Sequence, residues 1–350
     1  MIIKNARLKY GTADIKTENG IITGIGSFSG SETVDACGKR VIPGLIDTHI
    51  HGFGGFDASD GRLGDISMAL AKTGTTTWLP TAMTDSADQL EKLTHQDINV
   101  KGANIPGFHL EGPYISKHKK GAQNEAYIKD PDINEFSRFK NVAAVTLAPE
   151  LGGAVEFIKA VGCHVSIGHT CCTYDEAAAA IQAGADCLTH TFNAMPPFLH
   201  REPGPIGAAF DNGAFAEVIC DGVHVSLTAV RALYKMFGSD RLILVSDCIR
   251  PAGLADGEYS SGGLAVFMRN GRLELADGTL AGGSHPLLYC VKVAVESGID
   301  FYEAVKMASE TPAKRFGLNK GTISVGSDAD MLILNQNMTV NKVFIGGKTV

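Results

Sequence analysis

The sequence predicts an α/β fold: a (β/α)8 TIM-like barrel with a small β-sandwich domain formed from both chain termini. Three observations lead there. Eight apolar, strand-like runs recur through the middle of the chain with helical stretches between them. Both ends read instead as short β segments without helical period. Histidines and carboxylates close several of the runs, on the edge where barrels of this kind carry their chemistry.

The opening MIIKNARLKYGTADIKTENGIITGIGSF gives β runs broken by the turn signal Asn19-Gly20, and the closing GTISVGSDADMLILNQNMTVNKVFIGGKTV gives the same punctuation. Residues 1–42 and 318–350 are therefore expected to form the small domain, and 43–317 the barrel. The eight runs are VIPGLIDTHIH (41–51), TTTWLPTA (75–82), NIPGFHLEG (104–112), VAAVTLAPE (142–150), CHVSIGHT (163–170), DCLTHTFN (186–193), FAEVICDG (215–222) and RLILVSD (241–247). Their mean spacing is near the thirty or so residues that a strand, a helix and two loops need. In TYDEAAAAIQAGAD, Thr173 and Glu176 form a capping box and Gly184 suits the stop of a helix. A hairpin turning at Asn270-Gly271 is expected as an insertion near 258–280, followed by one final helix through SGIDFYEAVKMASETPAKRFG.

With 350 residues, 44% hydrophobic and 20% charged, the chain has the composition of a globular protein with a large core. A net charge of −7 argues against nucleic acid or an anionic membrane as partner. No apolar run reaches the roughly eighteen residues that span a bilayer, and MIIKNARLKY lacks a signal-peptide core, so a cytoplasmic location is expected. The eight cysteines follow neither a disulfide framework nor a zinc-site spacing and are read as reduced.

His49 and His51 lie two apart in a strand and so share a face. With 11 histidines in the chain, about 0.3 such pairs would arise by chance, so the pair alone means little. Reading every run to its end adds Glu111, His169, His190 and Asp247. Four imidazoles and two carboxylates on one rim suit one or two divalent ions of the Zn2+ or Fe2+ type.

These motifs, with PGLIDTHIHG (43–52), GFHLEGP (107–113), KKGAQ (119–123), SIGHT (166–170), THTFNAMPPFLHREPG (189–204), DGVHV (221–225) and PAGLADG (251–257), resemble the amidohydrolase superfamily and, within it, the N-acetylglucosamine-6-phosphate deacetylase family. The resemblance implies a metal-bearing barrel that hydrolyses an N-acetyl amide, with Glu111, His169 and His190 as core ligands and His49 and His51 available for a second ion. It implies Asp247 as general base and metal neighbour. Asn193, Ala194, Arg201 and His224 are implied as substrate contacts on the phosphate side, with Arg201 and His224 reaching into a neighbouring subunit and hence a homodimer. No cysteine has an activating partner, which fits direct attack by water.

Three positions depart from the family pattern. Gln123 stands where the family carries a histidine that polarises the substrate carbonyl, Arg250 brings a charge into CIRPAG, and LAGGSHPLL (280–288) brings an extra glycine, His285 and Pro286. All three are expected to face the substrate, Gln123 as a neutral donor. The expected reaction is conversion of N-acetylglucosamine 6-phosphate to glucosamine 6-phosphate and acetate. The alternatives are an N-acetylgalactosamine 6-phosphate deacetylase, another N-acyl amidohydrolase, or a non-catalytic sugar-phosphate-binding protein.

Overall fold

The computed structural model describes all 350 residues. Eight parallel strands follow one another around a single sheet: β1 (Leu45–Ile50), β2 (Thr75–Ala82), β3 (Phe108–Glu111), β4 (Val142–Leu147), β5 (His164–Ile167), β6 (Cys187–Leu188), β7 (Phe215–Ile219) and β8 (Leu242–Val245). The ring closes just beyond the strand ends, where the Asp247 amide donates to the His49 carbonyl at 2.9 Å and the His51 amide to that of Cys248 at 2.8 Å. One helix follows each strand: α1 (Leu63–Thr73), α2 (Ala87–Thr94), α3 (Ile133–Phe136), α4 (Ala154–Ala160), α5 (Tyr174–Ala183), α6 (Gly204–Asp211), α7 (Leu227–Phe237) and α8 (Leu287–Glu296). This is the (β/α)8 barrel that the run spacing predicts. No helix is long and apolar enough to cross a membrane.

Local chemistry sets several boundaries. The Thr173–Glu176 capping box starts α5, and Gly184, at φ 127°, ends it. The run 41–51, expected as one strand, is two. Arg40–Pro43 pairs with Met331–Leu334 in the terminal sheet, and after Gly44 the chain enters the barrel as β1. Hydrogen bonding changes partner there: the Gly44 amide donates to Asp330 of the terminal sheet, the Leu45 amide to Gly74 of the barrel. The expected final helix is also two, α9 (Phe301–Met307) and α10 (Glu310–Arg315). Pro312 explains the break, since its ring would clash with the carbonyl four residues earlier in a continuous helix but is tolerated in a first turn. The sequence reading did not anticipate α8, whose residues are largely buried.

Both chain ends build the terminal sheet, in which Ile2–Leu8, Gly11–Glu18 and Ile21–Gly26 lie beside Arg40–Pro43, Met331–Leu334 and Val340–Ile345. Ile3, Ile15, Ile22, Met331, Ile333 and Phe344 form its core, and Asn19 and Gly20, both at positive φ, make the expected turn. The insertion after β8 has four antiparallel strands, Gly257–Ser261, Leu264–Arg269, Arg272–Glu274 and Leu280–Gly282. Its hairpin turns at Asn270-Gly271, between the paired Arg269 and Arg272.

Asp57, on the loop after β1, ties this insertion down. It accepts from Ser261 Oγ at 2.8 Å and pairs with Arg250 at 2.7 Å, while Arg250 also meets Asp60 at 2.8 Å. Arg250 thus joins the loops after β8 and β1, and the expectation that it faces substrate is corrected: two carboxylates outside the cavity neutralise its charge. Arg250→Ala is expected to lower stability by about 1–3 kcal/mol, as loss of charged hydrogen bonds does. Calorimetry would show this as a lower Tm, and limited proteolysis as faster cleavage within 257–282; an unchanged Tm would contradict the strut.

Candidate active site

The side chains that end the strands converge at one mouth of the barrel. His49 lies one residue before the end of β1 and His51 just beyond it, Glu111 ends β3, and His169, His190 and Asp247 follow β5, β6 and β8. His169, His190 and Asp247 have φ of 46°, 25° and 50°. A non-glycine residue in that region costs on the order of 1–3 kcal/mol, so the surrounding structure must enforce it. Gly168 allows the crowding beneath His169, since a Cβ there would lie 2.5 Å from that of Thr189. Gly283 allows another close approach, because its Cβ would lie 2.0 Å from the Ser246 carbonyl oxygen, and its amide donates to the Asp247 carbonyl at 2.7 Å. The extra glycine of LAGGSHPLL therefore clamps the Asp247 backbone.

All four imidazoles direct Nε2 inward. His169 and His190 place it 3.2 and 2.9 Å from Glu111 Oε1, His49 lies 3.2 Å from the same oxygen, and His51 lies 3.2 Å from Oε2. Asp247 Oδ1 stands 3.5 and 3.3 Å from His49 and His51. Three rings have a partner for the other nitrogen. His51 Nδ1 lies 3.1 Å from the Thr81 carbonyl, His169 Nδ1 2.7 Å from the Lys119 carbonyl, and His49 Nδ1 3.4 Å from the Glu217 carboxylate. His190 Nδ1 has no partner. A carbonyl can only accept, so the proton of neutral His51 and His169 sits on Nδ1 and Nε2 is left as a lone pair.

Such lone pairs repel unless a metal cation or a proton lies between them. Yet Nε2 of His49 and His51 are 3.3 Å apart, and those of His169 and His190 are 3.1 Å apart. Ligands about 2.0–2.1 Å from a common tetrahedral centre lie about 3.3 Å from one another. The donors therefore fit a small divalent ion. They form two overlapping groups, His49 with Glu111 and His190, and His49 with His51 and Asp247. His49 belongs to both.

These groups open into a cavity of about 360 Å3 that Gln123, Asn193, Ala194 and His224 also line. Ala194, at φ 49°, continues the strained turn after β6 and accepts from the Thr170 amide at 3.0 Å. His224 pairs with Asp221 at 2.7 Å and faces the cavity of its own chain, which corrects the expectation that it reaches into a neighbour. Arg201 is exposed, near His200 at 2.5 Å, and does not line this cavity. His285 is corrected as a substrate-facing residue: it stacks on Tyr289 with ring centroids 4.0 Å apart, outside the cavity. Gln123 lines the cavity, but its carboxamide is engaged. Its Oε1 accepts from the Thr84 amide at 2.6 Å and its Nε2 donates to Glu111. In this arrangement it orients Glu111 rather than meeting a substrate carbonyl.

Residues 40–350 match the Amidohydrolase family. Over 338 residues the chain is 34% identical to the N-acetylglucosamine-6-phosphate deacetylase of Lysinibacillus sphaericus, covering 91% of this chain and 87% of that one. This chain belongs to the N-acetylglucosamine-6-phosphate deacetylase family of amidohydrolases. It is also 32% identical, over 95% of its length and 93% of the relative, to the N-acetylgalactosamine-6-phosphate deacetylase of Escherichia coli O157:H7. Among solved structures it is similar to a mutant of the Mycobacterium smegmatis N-acetyl-D-glucosamine-6-phosphate deacetylase in complex with N-acetyl-D-glucosamine-6-phosphate. There the TM-score is 0.92 at 30% identity, covering 100% of this chain and 98% of that one. Amidohydrolases use divalent metals, and the convergent donors are this chain's candidate ligands.

Sequence reasoning missed two buried residues of this amidohydrolase site. His109 lies under His49, with ring centroids 4.7 Å apart, and meets Thr146 Oγ1 at 2.8 Å. It shares the inward face of β3 with Glu111, so period 2 carried the signal. The other is Glu217, the single charge in FAEVIC. All eight cysteines are free, none lines the cavity, and burial pushes Cys172 up to about 12.

Burial opposes charge at Glu111, yet His49 and His169 hold its carboxyl well below the usual range. Burial likewise favours neutral His51, but Asp247 and Glu111 push its pKa up to about 9 from 6.5. The sign follows: in the metal-free protein His51 keeps its extra proton up to about pH 9, and a cation must displace it. Its contribution to metal-free stability is complete below pH 6.5 and is lost as pH rises through about 9. Zinc affinity, measured by competition with a chromophoric chelator, is expected to tighten about tenfold per unit between pH 6 and 8 for each proton displaced. A pH-independent affinity would contradict this.

Proposed function

We propose that this chain hydrolyses the N-acetyl amide of N-acetylglucosamine 6-phosphate to glucosamine 6-phosphate and acetate. The supporting observation is the convergence of four Nε2 atoms and Glu111 beside Asp247 at the floor of an open cavity. His49, His51, Glu111, His169, His190 and Asp247 are the proposed ligand set for one or two ions, zinc or ferrous iron. A divalent ion held there supplies Lewis acidity, lowering the pKa of water and polarising the amide carbonyl.

The protein's own groups do the rest. Asp247, 13% exposed and facing the cavity, takes a proton from water as its oxygen attacks the acetyl carbon. The same carboxyl then delivers that proton to the sugar nitrogen as the C–N bond breaks, so amine and acetate leave with atoms balanced. Gln123 holds Glu111 in register. Asn193, the Ala194 backbone and His224 are the proposed contacts on the phosphate side.

The reading includes a homodimer in which Arg201 serves a neighbour's cavity. Its support is an exposed arginine without an ion pair beside two exposed apolar residues, Phe198 at 46% and Leu199 at 47%. A charged sugar phosphate as substrate fits the cytoplasmic setting expected from the sequence.

Metal-loaded protein is expected to release free amine and acetate from N-acetylglucosamine 6-phosphate faster than from its galacto epimer or from unphosphorylated N-acetylglucosamine. Faster turnover of the galacto epimer would move the substrate assignment; no release from either phosphate would overturn it. Asp247→Asn is expected to reduce kcat by about 10^2–10^4 while substrate still binds. Retained turnover would remove Asp247 as the proton carrier. Arg201→Ala is expected to raise KM about 10- to 100-fold for the phosphorylated substrate only, the scale of one charged hydrogen bond. Light scattering should find a dimer; a monomer with unchanged KM in the variant would refute that contact.

A further inference from the structure

Behind His49 lies a line of buried charge that the hydrolytic step does not use. Glu217, on the inward face of β7, and Arg315, at the end of α10, are each 1% exposed. Arg315 Nη1 lies 3.4 Å from Glu217 Oε1, and its Nη2 donates to Ser166 Oγ at 2.8 Å and Asp186 Oδ1 at 2.9 Å. Glu217 Oε1 also accepts from Thr48 Oγ1 at 3.0 Å, and Oε2 faces His49 Nδ1 at 3.4 Å. Thr48 is the residue just before His49, so Glu217 meets both the ring and the side chain of its neighbour in β1.

Charge inside a barrel is costly unless paired, and a core could be filled more simply with aliphatic side chains. Here the guanidinium compensates Glu217, and the Glu217 oxygen not engaged by Thr48 and Arg315 is turned to His49. An ionised carboxylate can only accept, so in the neutral, metal-binding ring it fixes the His49 proton on Nδ1 and leaves the Nε2 lone pair facing Glu111, His51 and Asp247. No backbone carbonyl serves His49 in this way, in contrast to His51 and His169.

We propose that Glu217, compensated by Arg315, is a positioning residue that fixes the tautomer and orientation of His49 and so sets the affinity of the site for its divalent ion. This rests on the metal reading of the site. His49 belongs to both donor groups, so its orientation bears on either ion.

The test is a Zn2+ titration of chelator-stripped full-length protein, with parallel Co2+ spectra. Glu217→Gln keeps the side-chain shape but loses the charge, and its NH2 facing Nδ1 favours the wrong tautomer. It is expected to weaken zinc binding 10- to 100-fold, the usual scale for removing a ligand's carboxylate partner, and to change the Co2+ visible bands. In a His49→Ala background the same substitution should have no further effect on affinity, whereas a purely structural role would change Tm in both backgrounds and leave affinity alone. A folded Glu217→Gln protein with zinc affinity within threefold of wild type overturns the proposal. If that variant does not fold, Glu217→Asp is read in the same titration: a loss greater than threefold supports the proposal, and unchanged affinity overturns it. Wild-type protein that binds no zinc or cobalt would instead overturn the underlying metal reading.

Discussion

Four imidazole nitrogens facing one another across a buried carboxylate are the constraint around which the barrel mouth is built. His51 and His169, whose outer N–H groups are held by carbonyls when the rings are neutral, turn inner lone pairs toward the inner nitrogens of His49 and His190. At 3.1 to 3.3 Å they need a cation between them or a proton on one of them. Such a cluster is stable only in a frame stiff enough to resist the repulsion. The barrel supplies that frame through eight strands buried on both faces, and through left-handed turns at His169, His190 and Asp247.

The frame is reinforced around the site rather than only at it. Gly283 clamps the Asp247 backbone, and Asp57 and Arg250 secure the insertion whose residues Thr279 to Gly282 close one side of the cavity. Below the site, the buried Arg315–Glu217 pair reaches toward the ring that both donor groups share. Polar groups in the barrel interior thus lead toward the chemistry, as expected where function outweighs the economy of an apolar core.

Much of this could be read from the chain. The eight runs, the capping box at Thr173, the turns at Asn19-Gly20 and Asn270-Gly271, and the residues ending the runs all depend on local patterns that survive folding unchanged. What could not be read depends on contacts made across the fold. One strand became two at Gly44 because the terminal sheet competes for the chain there, and Pro312 divided the last helix. Gln123, Arg250 and His285 stand out along the chain as departures from the family pattern, but their partners, Glu111, Asp57 with Asp60, and Tyr289, decide where the side chains point. Glu217 was legible only as a lone charge in an apolar strand, and its meaning appears once His49 is beside it.

The most direct measurement is anomalous diffraction from crystals of zinc-reconstituted protein. A strong peak is expected at the barrel mouth, about 2.0–2.2 Å from Glu111 and from Nε2 of His169 and His190 or of His49 and His51. Crystals soaked in zinc that show no peak among these nitrogens, with the rings bonded to one another or to water, would contradict it.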